Sequence, residues 1–228
     1  MNLTPQPSTE IALNVTRTRV TVLMFNLTII AFMMTLLGSR STAANFVGLA
    51  HLTSFLALFV GFCLTLLGLW WLLFSQNNDA EGLSRAWPFT LGSVTTYLAL
   101  SQTATAFMHE YLVGIELAIE ARLPVVAPGP QPLIPPSALG DTALLILLIL
   151  AGIVWLLITY AGPLLVVLKS PVRGGRRWIF AAYYFALQVP ICWVYAKAYH
   201  LEYVPAGQSA DIFGLFALQF FQPMLWYR

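Results

Sequence analysis

Gln102, His109, Glu116 and Glu120 are the residues of this chain whose types and spacing can do chemistry together. At about 100° per helical residue, Gln102 and Glu120 fall about 20° to one side of His109 and Glu116 about 20° to the other, so the four share one stripe. Upstream, the same segment carries Thr90, Ser93, Thr95, Thr96, Ser101, Thr103 and Thr105. Hydroxyls and a carboxamide at bilayer depth suit the wall of a pore or substrate pocket, and carboxylates at its mouth gather cations. The same hydroxyls are also satisfied by bonding back to their own helix or by letting helices pack closely. Gln102 separates the two readings, because a carboxamide in mid-membrane cannot satisfy itself locally. Gln188, beside Pro190 and at a matching depth, is its expected partner.

A second constellation depends on topology. His51, His109 and His200 are scattered in the sequence but fall at one membrane face if the spans alternate, together with Glu110, Glu116, Glu120, Lys197 and Glu202. Imidazoles and carboxylates are suitable ligands for zinc, copper or iron, or a relay for protons, so His51, His109 and His200 are the metal candidates. Placement at headgroup level explains the same residues without a ligand, and no H-E-x-x-H or related spacing singles out a metal site. Glu116 and Glu120, four residues apart, read either as a cation pair or as a solvated helix face. Lys197 reaches the headgroups or pairs with Glu110, Glu116 or Glu202. The residues specify no cofactor, and no Walker loop, dinucleotide fingerprint or Ser-His-Asp order is present.

The elements that must position these groups are membrane helices. The 228-residue chain is 59% hydrophobic and 9% charged, and its mean hydropathy is +0.78, far outside the soluble range. Apolar runs of about 20 residues cross roughly 30 Å of hydrocarbon. Five spans are expected, at about 19–38, 47–74, 88–108, 142–168 and 178–199, the third continuing as an amphipathic helix to about 123. A shorter apolar piece at 212–227, with Gln219, Gln222 and Pro223, reads as an interfacial or re-entrant helix. The fold class is therefore all-α, a polytopic transmembrane bundle in a single domain over 19–228, preceded by a tail at 1–18. The segment 124–136 holds six prolines and must be an extended loop. Gly152, Gly162 and Pro163 mark close packing or a kink in the fourth span, and Pro190 frees a carbonyl in the fifth. Cys63 and Cys192 both lie in apolar runs and suggest neither disulfide nor thiolate site.

Arg17, Arg19, Arg85, Lys169, Arg173, Arg176 and Arg177 fall on one side of the alternating spans, which places the tail in the cytoplasm and the proline-rich loop on the periplasmic, lumenal or extracellular side. The net charge of +2 is explained by this topology, so nucleic acid is not an expected partner. The expected partners are the lipid bilayer and either further copies of the chain or a larger membrane complex. Three functions fit. The first is a small channel or transporter for an ion or small molecule, lined by Gln102, Thr105, His109, Glu116, Glu120 and Gln188. The second is a non-catalytic subunit or assembly factor of a membrane complex. The third is a membrane enzyme with a His and carboxylate metal site built from the far-face cluster.

Overall fold

With no water in hydrocarbon to satisfy the backbone, a helix is the structure such runs can adopt alone. The computed structural model describes residues 7–41, 51–80, 86–122, 136–170, 172, 175, 177–204 and 211–227, with side chains described over a narrower set that leaves out 7–14, 37–41, 77–80, 113–122, 136–144 and 227. Among the described residues all regular structure is helical. The long helices are α1 (Pro7–Ser41), α2 (Leu52–Ala80), α3 (Ala86–Arg122), α4 (Pro136–Leu156) and α6 (Arg177–Tyr203). A π-helical turn at Leu157–Ala161 joins α4 to the short α5 (Gly162–Lys169), and α7 (Ile212–Gln219) leads into a 3-10 segment, Gln222–Tyr227.

Among the described residues four stretches are long and apolar enough to cross a membrane: Val15–Leu36, Leu52–Gln76, Leu145–Lys169 and Arg177–Tyr203. The protein is accordingly membrane-embedded in character. The third expected span, in α3, is not among the four, and the reason is physical. Thr90, Ser93, Thr95, Thr96, Ser101, Gln102, Thr103 and Thr105 are all buried. A helix enclosed by other helices is not required to be as apolar as one that faces lipid, so its composition falls below what a lipid-facing span needs.

The pairing of residues shows how the helices run. Leu23 and Asn26 of α1 meet Gly68 and Thr65 of α2, while His51, just before α2, and Trp71 of α2 lie near Glu110 and Gly92 of α3, so both hairpins are antiparallel. Thr105 and Thr90 of α3 meet Trp155 and Ser170, which makes the α4–α5 rod antiparallel to α3. Tyr183 and Tyr195 of α6 meet Thr95 and Gln102, so α6 runs parallel to α3. The near end of the bundle therefore holds the starts of α3 and α6, and the far end holds their last turns and the start of α2.

Two glycines permit the closest approaches between helices. A Cβ on Gly162 would sit 2.4 Å from Tyr97 Cε1, and one on Gly92 would sit 2.9 Å from Leu72 Cγ. The π turn lies immediately before Gly162 and is followed by Pro163 in the first turn of α5, just where Tyr97 approaches the rod.

The start of the chain differs from the expected elements, and its C-terminal piece is the short helix expected. The first helix starts at Pro7, well inside the expected tail. The C-terminal piece folds back from the far end along α6. Asp211 caps α7 by accepting a bond from Phe213 N at 3.0 Å, and Phe213 and Phe216 pack on Trp193. The chain then turns where Tyr160 donates to the Phe220 carbonyl, and Trp226 packs with Met108, Leu148 and Trp155. Residues 123–135, with nearly all of the proline-rich loop, lie outside the described residues.

Candidate functional site

Most hydroxyls of α3 are spent on α3 itself. Thr90, Ser93, Thr95, Thr96 and Thr103 each donate to the carbonyl four residues earlier, at 2.7–3.2 Å. Ser101 donates to Leu98 at 2.8 Å. The bonds that leave the helix tie it to its neighbours. Tyr195 OH donates to Gln102 Oε1 at 2.6 Å, Trp155 Nε1 donates to Thr105 Oγ1 at 2.9 Å, and Thr95 shares a 2.8 Å bond with Tyr183 OH. Tyr183 also accepts from Trp71 at 3.1 Å, so α2, α3 and α6 are joined through one phenol. Gln102 thus has a partner on another helix, Tyr195, and its Nε2 donates to the neighbouring Ser101 Oγ at 3.1 Å. Gln188 is buried on α6 but turns to Cys192, its amide 3.5 Å from Sγ, and its Oε1 has no partner among the described residues.

At the far end the expected cluster comes together in part. His51 Nδ1 lies 2.9 Å from Glu110 Oε1. One turn on, Glu202 reaches across from α6 and accepts from the Thr53 backbone N–H at 3.0 Å and from the Thr53 hydroxyl. Thr53 stands in the first turn of α2, so the carboxylate satisfies a free N–H and faces the positive end of the helix dipole. Lys197 does not join these carboxylates; its ammonium lies 5.3 Å from the centre of the Trp193 ring. His200 is half-buried in the last turn of α6.

His109 departs from the other histidines. It is buried and lies against Gln222 of the C-terminal segment. Gln222 in turn donates to Gln219. Among the described residues His109 Nε2, Gln219 Nε2, Gln222 Oε1 and Trp226 Nε1 are buried without a partner, which makes this the most under-satisfied corner of the bundle. Among the described residues no three His, Cys, Asp or Glu side chains converge as a metal site would require. Glu116 and Glu120 are on α3, but their side chains lie outside the described residues.

One cavity of about 550 Å³ lies between α5 and α6, lined by Pro163, Leu164, Val167, Trp178 and Phe185 among others, and two more lie on the other face of α3. A cleft of about 750 Å³ separates α1 from α4. Its floor is Leu100, Thr103, Ala104, Phe107, Met108 and Tyr111; one wall is Asn26, Ile29, Phe32 and Met33; the other includes Leu147, Leu150, Ala151, Val154 and Trp155. Nearly all of this lining is apolar. Asn26 and Thr103 are the exceptions: Thr103 donates to its own helix, whereas the Asn26 amide bonds Thr65 at 3.0 Å and its Oδ1 has no partner among the described residues. Toward the near end the other cavity on this face, of about 550 Å³, lies between α1 and α3, lined by Val15, Thr18, Arg19, Val22, Thr96, Tyr97 and Leu100. Leu100 belongs to both. Neither is lined by Gln102, Thr105, His109 or Gln188.

The reasoning from single helices missed Tyr195, Trp155, Thr53, Gln219, Gln222 and Arg19. One signal was present: Val15, Arg19, Val22, Asn26, Ile29 and Met33 recur at alternating spacings of four and three, the period of a helix face seeking a partner.

No family model matches the chain, and neither a curated protein nor a solved structure matches it. Fold and site together define an all-helical, membrane-embedded protein with a closed polar interior and a lateral apolar cleft.

Proposed function

We propose that the protein is a small transporter whose cargo is a small molecule dissolved in the bilayer, taken in sideways through the cleft between α1 and α4. The observation that carries this reading is the cleft itself: about 750 Å³ of apolar space, floored by the most enclosed helix of the bundle and continued by the Arg19 cavity. An apolar trough of this size suits a lipophilic ligand better than a hydrated ion, which would lose its water with little polar lining in return. The arginine distribution supports a cytoplasmic near end and an extracytoplasmic proline-rich loop.

Ala104→Trp is the direct test, because it fills the cleft floor without touching the polar interior. In liposomes, saturable binding and transfer of a lipophilic fluorophore should weaken at least about fivefold, as a steric cost of about 1–3 kcal/mol implies. Unchanged binding in a folded Ala104→Trp protein would remove the reading.

A second reading, a subunit of a larger membrane complex, is favoured by the four-and-three spacing on α1, which suits an incoming helix. It predicts that a photo-crosslinker at Ile29 traps another polypeptide at stoichiometric yield.

A further inference from the structure

We infer that the cleft and the Arg19 cavity form one site for an anionic phospholipid, with the phosphate at Arg19 and an acyl chain along the α3 floor. The inference rests on the cleft-binding reading above and specifies its ligand.

Charge is the first argument. Arg19 lies at the near end on the same face of α1 as Asn26, Ile29 and Met33, which wall the cleft. Its guanidinium carbon is 5.4 Å from the centre of the Phe89 ring and 6.0 Å from that of Tyr97. Its Nε is buried and has no hydrogen-bond partner among the described residues. The carboxylates whose side chains are described, Glu110, Glu202 and Asp211, belong to the far end, so none of these neutralises it. A guanidinium held between two rings with a donor unused is matched by a phosphate, whose oxygens accept its fork of N–H groups. A zwitterionic headgroup would bring its own cation beside Arg19; an anionic one would not.

Shape is the second argument. The polar end and the apolar trough meet at Leu100 in the order of an amphiphile, headgroup then chain. From Leu100 to Tyr111 the floor runs about 17 Å at 1.5 Å per residue. One leaflet contributes about 15 Å, half of a 30 Å hydrocarbon core. The trough is therefore long enough for an acyl chain, which crosses the midplane to enter it from Arg19.

The test uses the full chain in nanodiscs of phosphatidylcholine with a minor fraction of phosphatidylglycerol, followed by gentle release and native mass spectrometry of the lipid that stays bound. The unaltered chain should retain phosphatidylglycerol enriched about fivefold over the bulk mixture, the effect of one basic residue on one anionic lipid. Arg19→Gln should return the retained lipid to the bulk ratio, and Arg19→Lys should keep part of the enrichment. Retained lipid at the bulk ratio in the unaltered chain would overturn the proposal, as would enrichment that survives Arg19→Gln. So would a second polypeptide cross-linked into the cleft in place of lipid. If phosphatidylcholine is retained without enrichment and lost in Ala104→Trp, the headgroup assignment fails while the cleft-binding reading stands.

Discussion

The two faces of α3 differ in polarity, and the polar one is the closed one. Toward α2 and α6 the helix presents hydroxyls and Gln102, nearly all bonded to its own carbonyls or to Tyr183 and Tyr195. Toward the gap between α1 and α4 it presents Leu100, Ala104, Phe107 and Tyr111, with Thr103 among them bonded back to its own helix, and there the space is open. Polar side chains inside a bundle are cement, because each buried donor left unmade costs about 1–3 kcal/mol and packing closes around those that are made. An open volume persists where the lining is apolar, since lipid chains fill it without penalty. In this chain polarity therefore points to packing, and the candidate binding surface is the apolar face beside it.

Tyr97 stands on the border of the two faces, and the largest effect is expected there. It lines the Arg19 cavity, while its ring fills the space left by Gly162. Gly162→Ala places a methyl 2.4 Å from Tyr97 Cε1, and relief requires the ring to leave the α5 rod. The expected cost is about 1–3 kcal/mol, the usual range for overpacking, read as a lowered midpoint of thermal unfolding in detergent. Tyr97→Ala in the same chain should recover most of it. Equal losses in Gly162→Ala with and without Tyr97 would mean that the rod does not depend on this approach.

Gln102 and Tyr195 test the closed face alone. Gln102→Leu leaves a buried phenol without its acceptor and should cost about 1–2 kcal/mol, since interhelical bonds in membranes are worth less than in isolation. Removing both partners, Gln102→Leu with Tyr195→Phe, should come back to within about 0.5 kcal/mol of the parent, because neither group is then left unsatisfied. Binding of a lipophilic fluorophore should be the same in all three variants. A flux that fell with the single change and stayed low in the double one would return Gln102 to a pore wall and break the contrast between the faces.

How much of this was legible in the sequence follows from what a single helix can report. The apolar runs report the four lipid-facing helices, because length and hydropathy are properties of one segment. The demand of Gln102 for a partner was legible too, since it follows from one side chain at one depth. Its answer, Tyr195, was not: a tyrosine in a span carries no mark that its hydroxyl points inward. Glu202 read as one more acidic residue at an interface, and only the packing of α6 on α2 makes it the cap of Thr53. The start of α1 at Pro7 was hidden because Ser8, Thr9 and Asn14 read as tail, although proline in a first turn is a helix signal. The cleft is a relation among three helices, so no periodicity on one of them displays it, and the spacing on α1 told of a partner without saying that the partner was absent space.

Phe107→Ala carries the smallest expected change in stability and the sharpest statement about the open face. Phe107 is 54% exposed on the cleft floor, so its ring meets lipid chains in place of protein, and trimming it removes few contacts that folding depends on. A change within about 0.5 kcal/mol is expected, as for surface positions generally. The cleft, however, becomes wider next to Ala104. A fluorophore too bulky for the parent should now bind, while the unfolding midpoint stays where it was. The reverse pattern, a destabilised protein with unaltered selectivity for ligand size, would show that Phe107 belongs to the packed interior and that both faces of α3 are structural.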